Sequence, residues 1–170
     1  MTEKLRWGVK FAIYESKEFV LTQNDEDRSS VWMLFSSNYY GTINDAKSLG
    51  FLSSNQTYYL PITPDDLESA YSVENYCEYK GDILECYYED EKQQFSFDMR
   101  GASKELCEKF GLAYEYERWC ISRGYEDSQM FFEVPDSEIL NVWEIHKPID
   151  GFPFKGPEKV WVKRDGVWLR

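Results

Sequence analysis

From Leu5 to Ile13 the chain alternates strictly: Leu5, Trp7, Val9, Phe11 and Ile13 share one parity, and Arg6, Gly8, Lys10 and Ala12 the other. A period of two sustained over such a stretch commits a chain to β-structure with one covered face. The signal recurs. Phe19-Val20-Leu21 is a second apolar run, and Val31 to Phe35 is apolar throughout, as in a strand covered on both faces. Three late segments, Gln129 to Val134, Glu138 to Ile145 and Val160 to Leu169, also read as strands. Asn24 to Ser30 reads as a polar loop, and Pro148 to Pro157, rich in proline and glycine, as a loop leading into the final hairpin.

Helical signals are few and short. Thr63-Pro64-Asp65-Asp66 has the form of a helix start, with Leu67, Ala70 and Tyr71 turned inward. Ser103 caps a second helix carrying Leu106, Cys107 and Phe110, and Gly111 ends it so that Leu112 packs back on Cys107. The alternation of Leu112, Tyr114 and Tyr116 with Ala113, Glu115 and Glu117 favours that stop; the rival reading runs the helix on to Ile121. With 170 residues, 42% of them apolar, the chain can bury a real core without staples. The expected fold is α+β: one domain over residues 1–170, mainly antiparallel sheet, sandwich-like or open-barrel-like, with two or three short helices.

The last strand contains Asp165-Gly166, a strong hairpin turn signal. Centred there, the turn sets Lys163 opposite Trp168 and Trp161 opposite Arg170, with Val162 and Leu169 on the other side. Those cation–aromatic pairs read as sheet stabilisation.

Charge is unevenly placed. The formal net charge is −12, which argues against a general nucleic-acid binder, since neutralising phosphates takes an excess of Lys and Arg. Residues 64–98 hold 11 acids and 2 bases, net −9, whereas residues 146–170 hold 3 acids and 6 bases, net +3. The acidic segment carries its own hairpin from Tyr76 to Tyr88. A Gly81-Asp82 turn would oppose Tyr79 with Leu84, Glu78 with Glu85 and Cys77 with Cys86. One face would then show Tyr76, Glu78, Glu85 and Tyr87, followed by Glu89, Asp90 and Glu91. Two carboxylates set opposite each other repel, and a broken local rule of that kind marks a binding surface. Tyr rings among carboxylates suit a basic protein partner.

Cys77, Cys86, Cys107 and Cys120 have no C-x-x-C spacing and sit among apolar residues, which reads as reduced core thiols with no disulfide. The N-terminus lacks the apolar run of a signal peptide, and no stretch is apolar enough to span a membrane, so a cytoplasmic protein is expected. No phosphate-binding glycine loop, metal-ligand motif or nucleophile elbow is present. His146 is the only histidine, and Trp143-Glu144-Ile145 before it reads as a strand ending there. Neither catalytic residues nor a cofactor nor a metal are expected, and the chain reads as a binding protein, not an enzyme.

A small, very acidic, aromatic-rich chain with the Tyr/Glu segment 76–91 resembles the immunity proteins of bacterial toxin systems, including those of contact-dependent growth inhibition. That resemblance implies a cognate toxin, often a basic nuclease, whose active site the bound protein occludes. The leading expectation is an acidic inhibitor of a basic protein partner, with no direct nucleic-acid or membrane contact. Two others stand beside it: a nucleic-acid mimic from a mobile element that blocks a host nucleic-acid enzyme, and an aromatic platform for a small molecule or carbohydrate.

Overall fold

The N-terminal alternation becomes a strand only from Lys10. Gly8 takes φ +64°, a left-handed conformation that interrupts an extended chain, so Leu5 and Arg6 leave the strand path. The computed structural model describes residues 5, 6, 8–24, 31–37, 42–122 and 130–169. Trp7, most of the 24–30 loop, Gln129 and Arg170, and with it the Trp161–Arg170 pair, lie outside the described residues.

In chain order the elements are β1 (Lys10–Tyr14), β2 (Lys17–Asn24), β3 (Val31–Ser36), α1 (Ile43–Ser48), β4 (Leu52–Ser54) and β5 (Thr57–Pro61). Next come β6 (Ser69–Tyr79), β7 (Asp82–Glu85), β8 (Tyr87–Glu89) and β9 (Gln94–Asp98). After α2 (Lys104–Lys109) and α3 (Ala113–Ser122) follow β10 (Phe131–Pro135), β11 (Val142–Pro148), β12 (Lys159–Arg164) and β13 (Val167–Trp168). The fold is α+β and mainly antiparallel with three short helices, as the sequence predicts. The main sheet runs β13-β12-β11-β6-β1-β2-β3-β5-β4, with β7 beside β6. Its ends do not meet, so it is an open sheet and not a barrel. A small sheet, β10-β9-β8, forms a second layer.

Strand parity divides the main sheet into two faces. Phe11, Val20, Tyr71, Val73, Asn75 and Cys77 point to one side, here the inner face; Ala12, Phe19, Leu21, Ala70, Glu74 and Tyr76 point to the opposite face. At the β6–β11–β12 end the small sheet and helices cover the inner face, where Phe95 and Phe97 pack with Cys77, Tyr79, Val142 and Val162. At the β1–β2–β3 end the opposite face is covered by Ala46 of α1 with Phe51, Ile62 and Leu67, and on the inner face Phe11, Val20, Tyr71 and Val73 are buried against Phe35 and Phe154. The small sheet and helix α1 therefore lie on different sides of the main sheet. The opposite face of β7, β6, β11 and β12 is left as a surface of charged and aromatic side chains.

Several local expectations change. Thr63 and Asp66 do form a capping box, the Thr63 N–H and hydroxyl both donating to Asp66 Oδ2 at 2.7 and 2.8 Å. Only one turn follows, however, over Pro64–Asp66. Leu67, Ala70 and Tyr71 are buried as predicted, but Ala70 and Tyr71 belong to β6, whose alternating burial dictates an extended chain. Ser103 caps α2, its hydroxyl accepting from Leu106 N–H, and Gly111 ends that helix at φ +80° with Leu112 N–H bonded to Cys107 O at 2.8 Å. Beyond the stop the chain re-enters a helix, α3, instead of the alternating extension expected there. β3 is only half covered, with Val31 exposed. Helix α1 has no counterpart among the helical signals of the sequence.

The final hairpin has Lys163 opposite Trp168 with its ammonium 5.3 Å from the ring centre, as predicted. A bulge at Val162 corrects one detail. Trp143 pairs with Trp161 and Val142 with Lys163, so Val162 is the extra residue, buried along with Lys163. The buried Lys163 ammonium donates to the Asp136 backbone carbonyl and carboxylate at 2.7 and 2.8 Å, and Trp168 Nε1 donates to the same carboxylate. Among the described residues no helix is long and apolar enough to cross a membrane.

Candidate functional site

The acidic hairpin turns one residue earlier than its sequence suggests. Lys80 and Gly81 both take left-handed φ, +50° and +84°, which is the backbone of a type I′ turn. The register shifts accordingly: Tyr76 lies opposite Glu85, Cys77 opposite Leu84, Glu78 opposite Ile83 and Tyr79 opposite Asp82. The Glu78–Glu85 and Cys77–Cys86 pairs are therefore corrected, and no like-charge repulsion across the ladder needs explaining. Glycine decides it. Type I′ geometry places Gly at its second central position, and its twist matches that of the strands.

The parity of β6 is unaffected, so Tyr76, Glu78, Ile83 and Glu85 still share the opposite face. Tyr76 Oη donates to Glu74 Oε2 at 2.8 Å, and Tyr87 Oη to Glu85 Oε1 at 3.2 Å. Partial burial, then the hydrogen bond to Glu74 and the charges of Glu74 and Glu85, push the Tyr76 phenol up to about 12. Ile83 stands at the centre, 67% exposed, with Glu78 across the ladder and Glu85 beside it on the same strand face. An exposed branched aliphatic side chain framed by carboxylates is what a protein interface core with a polar rim requires.

The expected patch does not hold together as one unit. Tyr76, Glu78, Glu85 and Tyr87 stay on this face, joined by Glu74 and Ile83, which lie outside the set expected from sequence. Glu89, Asp90 and Glu91 belong to the β8–β9 turn on the small sheet, where Lys92 pairs with Glu89 at 2.9 Å and approaches Glu133 at 3.9 Å. The face extends the other way instead. Trp143, opposite Tyr76, packs on Trp161 with centroids 5.4 Å apart, and Lys159 Nζ lies 4.0 and 4.3 Å from the two rings. Lys147 donates to Glu74 at 2.6 Å, and this hydrogen bond holds the Glu74 carboxyl below its ordinary range.

A second polar cluster lies under the inner face. Arg6 donates from Nη2 to Glu144 Oε2 at 2.6 Å and from Nε to Oε1 at 3.2 Å, and its Nη1 pairs with Glu18. Tyr71 Oη also donates to Glu18, and His146 Nε2 lies 3.0 Å from Glu144. Glu144 is fully buried and His146 nearly so. Burial works against the Arg6 charge, but the hydrogen bond to Glu144 and the two carboxylate charges outweigh it, and the guanidinium holds its proton more firmly than usual. Burial and then the bond to Glu18 raise Tyr71 likewise. Asn75 Nδ2 donates to the Arg6 carbonyl at 2.6 Å, so the segment at Leu5 and Arg6 is tied to β2, β6 and β11 together. Glu144 and His146, two apart on a strand, share a face by parity; Arg6 could not be foreseen because it lies outside any strand.

Cys77, Cys86, Cys107 and Cys120 are free thiols. The first three are buried, but Cys120 is exposed, which corrects its placement in the core. Burial and then the neighbouring Cys77 raise the Cys86 thiol well above its ordinary range. Among the described residues no group of three or more His, Cys, Asp or Glu is placed to hold a metal ion.

These features define an open antiparallel sheet protein with one charged, aromatic face. The chain belongs to the family described as uncharacterised conserved protein UCP033725, whose model matches residues 7–123, a span that includes Tyr76 to Glu91. No curated protein and no solved structure matches it.

Proposed function

We propose that this chain is a stoichiometric inhibitor that binds a basic protein, a toxin nuclease, by laying the β6–β7 face over the groove that attracts nucleic acid. The observation that carries the reading is Ile83, exposed between Glu78 and Glu85 with Tyr76 alongside. A nuclease groove must be basic to hold phosphate, so carboxylates presented to it speed association and reject other partners, while an apolar centre and tyrosines supply contact area. The aromatic-platform reading fits less well, because Lys159 already lies over both Trp143 and Trp161.

The test is purification of the tagged chain from its native cells, identification of an equimolar basic partner, and titration of that partner's nuclease activity. Inhibition should be complete at one equivalent. Glu78→Lys with Glu85→Lys should weaken it at least a hundredfold by setting like charges against each other. Association should slow as salt rises, since screening shortens the Debye length from about 10 Å at 0.1 M to about 3 Å at 1 M. Unchanged inhibition by the doubly reversed chain would remove this face from the mechanism.

A further inference from the structure

The strands that carry the carboxylates continue into strands that carry cations. On the same face, Glu74, Glu78 and Glu85 occupy β6 and β7, and Lys147, Lys159 and Arg164 occupy β11 and β12. Tyr76, Trp143 and Trp161 cross the face from one row into the other. The geometry places them there directly: Tyr76 pairs with Trp143 across β6–β11, Trp143 with Trp161 across β11–β12, and the Arg164 guanidinium lies 5.5 Å from the Trp161 ring. Part of the acidic segment and part of the cationic segment, Glu74, Glu78 and Glu85 on one side and Lys147, Lys159 and Arg164 on the other, thus meet on one face.

The two rows differ in what they leave unused. Lys147 is already bonded to Glu74. Lys159 and Arg164 are exposed and make only ring contacts; among the described residues no hydrogen bond engages either side chain. Ring contacts fix where the two charges stand while their N–H donors remain directed at solvent. Cations held in place with free donors are suited to receive carboxylates.

Resting on the reading of this face as the docking surface for a basic protein, we infer that the partner is bipolar. It carries carboxylates beside its basic groove, and Lys159 and Arg164 receive them. The acidic row supplies attraction to the groove. The cationic row sets the register of the complex and discriminates against proteins that are merely basic, because a uniformly basic surface would set cations against Lys159 and Arg164. From β6 and β7 to β12 is two to three strand spacings, about 10 to 14 Å, so the partner's two charge patches lie about that far apart.

Two synthetic peptides test this: Arg-Arg-Arg-Gly-Glu-Glu-Glu, and the same peptide with Gln for Glu. Extended, their block centres are about 13 Å apart, matching the span. In fluorescence anisotropy at about 0.15 M salt, where screening within about 8 Å removes the pull of the chain's net charge of −12 on the more cationic Gln peptide, the bipolar peptide should bind about five- to tenfold more tightly than the Gln peptide. Lys159→Glu with Arg164→Glu should abolish that advantage and leave the Gln peptide bound at least as well as before. If the parent binds the Gln peptide but the bipolar one no more tightly, the bipolar partner is overturned and the acidic docking face stands. If it binds neither, both fall. Sedimentation of the chain alone checks the remaining occupant: a dimer that becomes monomeric in the doubly reversed chain would assign this face to a second copy and overturn the inference.

Discussion

The imidazole of His146 stacks on the phenol ring of Tyr71, with centroids 4.2 Å apart and planes 10° from parallel. Each ring also serves the same pair of carboxylates, His146 meeting Glu144 and Tyr71 meeting Glu18. Arg6 bridges those carboxylates, so the stack and the guanidinium lock a non-strand segment onto β2, β6 and β11. The only histidine of the chain is thereby held in place by a ring contact and a carboxylate.

Glu144→Gln should be the most destabilising conservative change in the protein. It leaves the Arg6 charge with one carboxylate in a buried place, at a cost of about 3 kcal/mol, the lower end for a broken buried pair because Glu18 remains. Arg6→Met combined with Glu144→Leu removes both charges and should recover most of that loss. Urea denaturation of the parent and the two variants measures it. Parent-like stability of the Glu144→Gln chain would show that the cluster holds nothing together.

The raised Tyr76 phenol makes stability depend on alkaline pH. The fold favours its neutral form, so the contribution is fully present below about pH 10 and is lost as pH rises through about 12. A titration of tyrosinate absorbance should show one late-ionising phenol fewer in Tyr76→Phe. The same variant should lose less stability than the parent between about pH 9 and pH 11. Identical pH slopes would mean that Glu74 and Glu85 do not act on this ring.

Side-chain parity is legible in part, because it needs only a period of two: the shared burial of Cys77, Tyr79, Leu84 and Cys86 follows from alternation, and the pairing of Lys163 with Trp168 from Asp165-Gly166. Register is not, because Lys80-Gly81 and Gly81-Asp82 both contain the glycine a tight turn needs, and moving the turn by one residue shifts the pairing by two, from Glu78–Glu85 to Glu78–Ile83, without changing faces. Helix α3 is hidden by accident of spacing: Leu112, Tyr114 and Tyr116 alternate, yet Leu112 and Tyr116 are also one helical turn apart. The cationic half of the face is invisible in sequence, because nothing local to Lys159 and Arg164 says that their strand lies near Glu74 and Tyr76. Long-range strand order decides that.

Ser103→Ala should destabilise the protein by about 1 kcal/mol, the usual cost of losing an N-cap acceptor. Its hydroxyl accepts from Leu106 N–H at 3.2 Å, and α2 is only six residues long, so it has little hydrogen bonding to spare. Ser103→Asp should retain the cap and the parent's thermal midpoint. A loss of the same size in both variants would assign the effect to something other than capping.

The type I′ turn carries one strained residue. Lys80 sits at φ +50°, where a side chain with a Cβ is uncommon, and Asn tolerates that conformation far better. Lys80→Asn should therefore stabilise the hairpin by about 0.5 to 1 kcal/mol. The gain is reduced by whatever the Lys80 ammonium contributes from its place 5.0 Å from the Tyr79 ring centre. Gly81→Val should do the reverse. Gly81 takes φ +84°, where a branched side chain is strained even though the space around its Cα is open, with no heavy atom within 4 Å of where a Cβ would stand. Chemical denaturation ranks the three chains, and cross-strand nuclear Overhauser contacts between Glu78 and Ile83 report whether the register survives. If Lys80→Asn were destabilising while those contacts persisted, the turn would not be type I′. If the contacts moved to Glu78 and Glu85, the carboxylates would oppose each other and Ile83, still on the same face, would no longer stand across from Glu78.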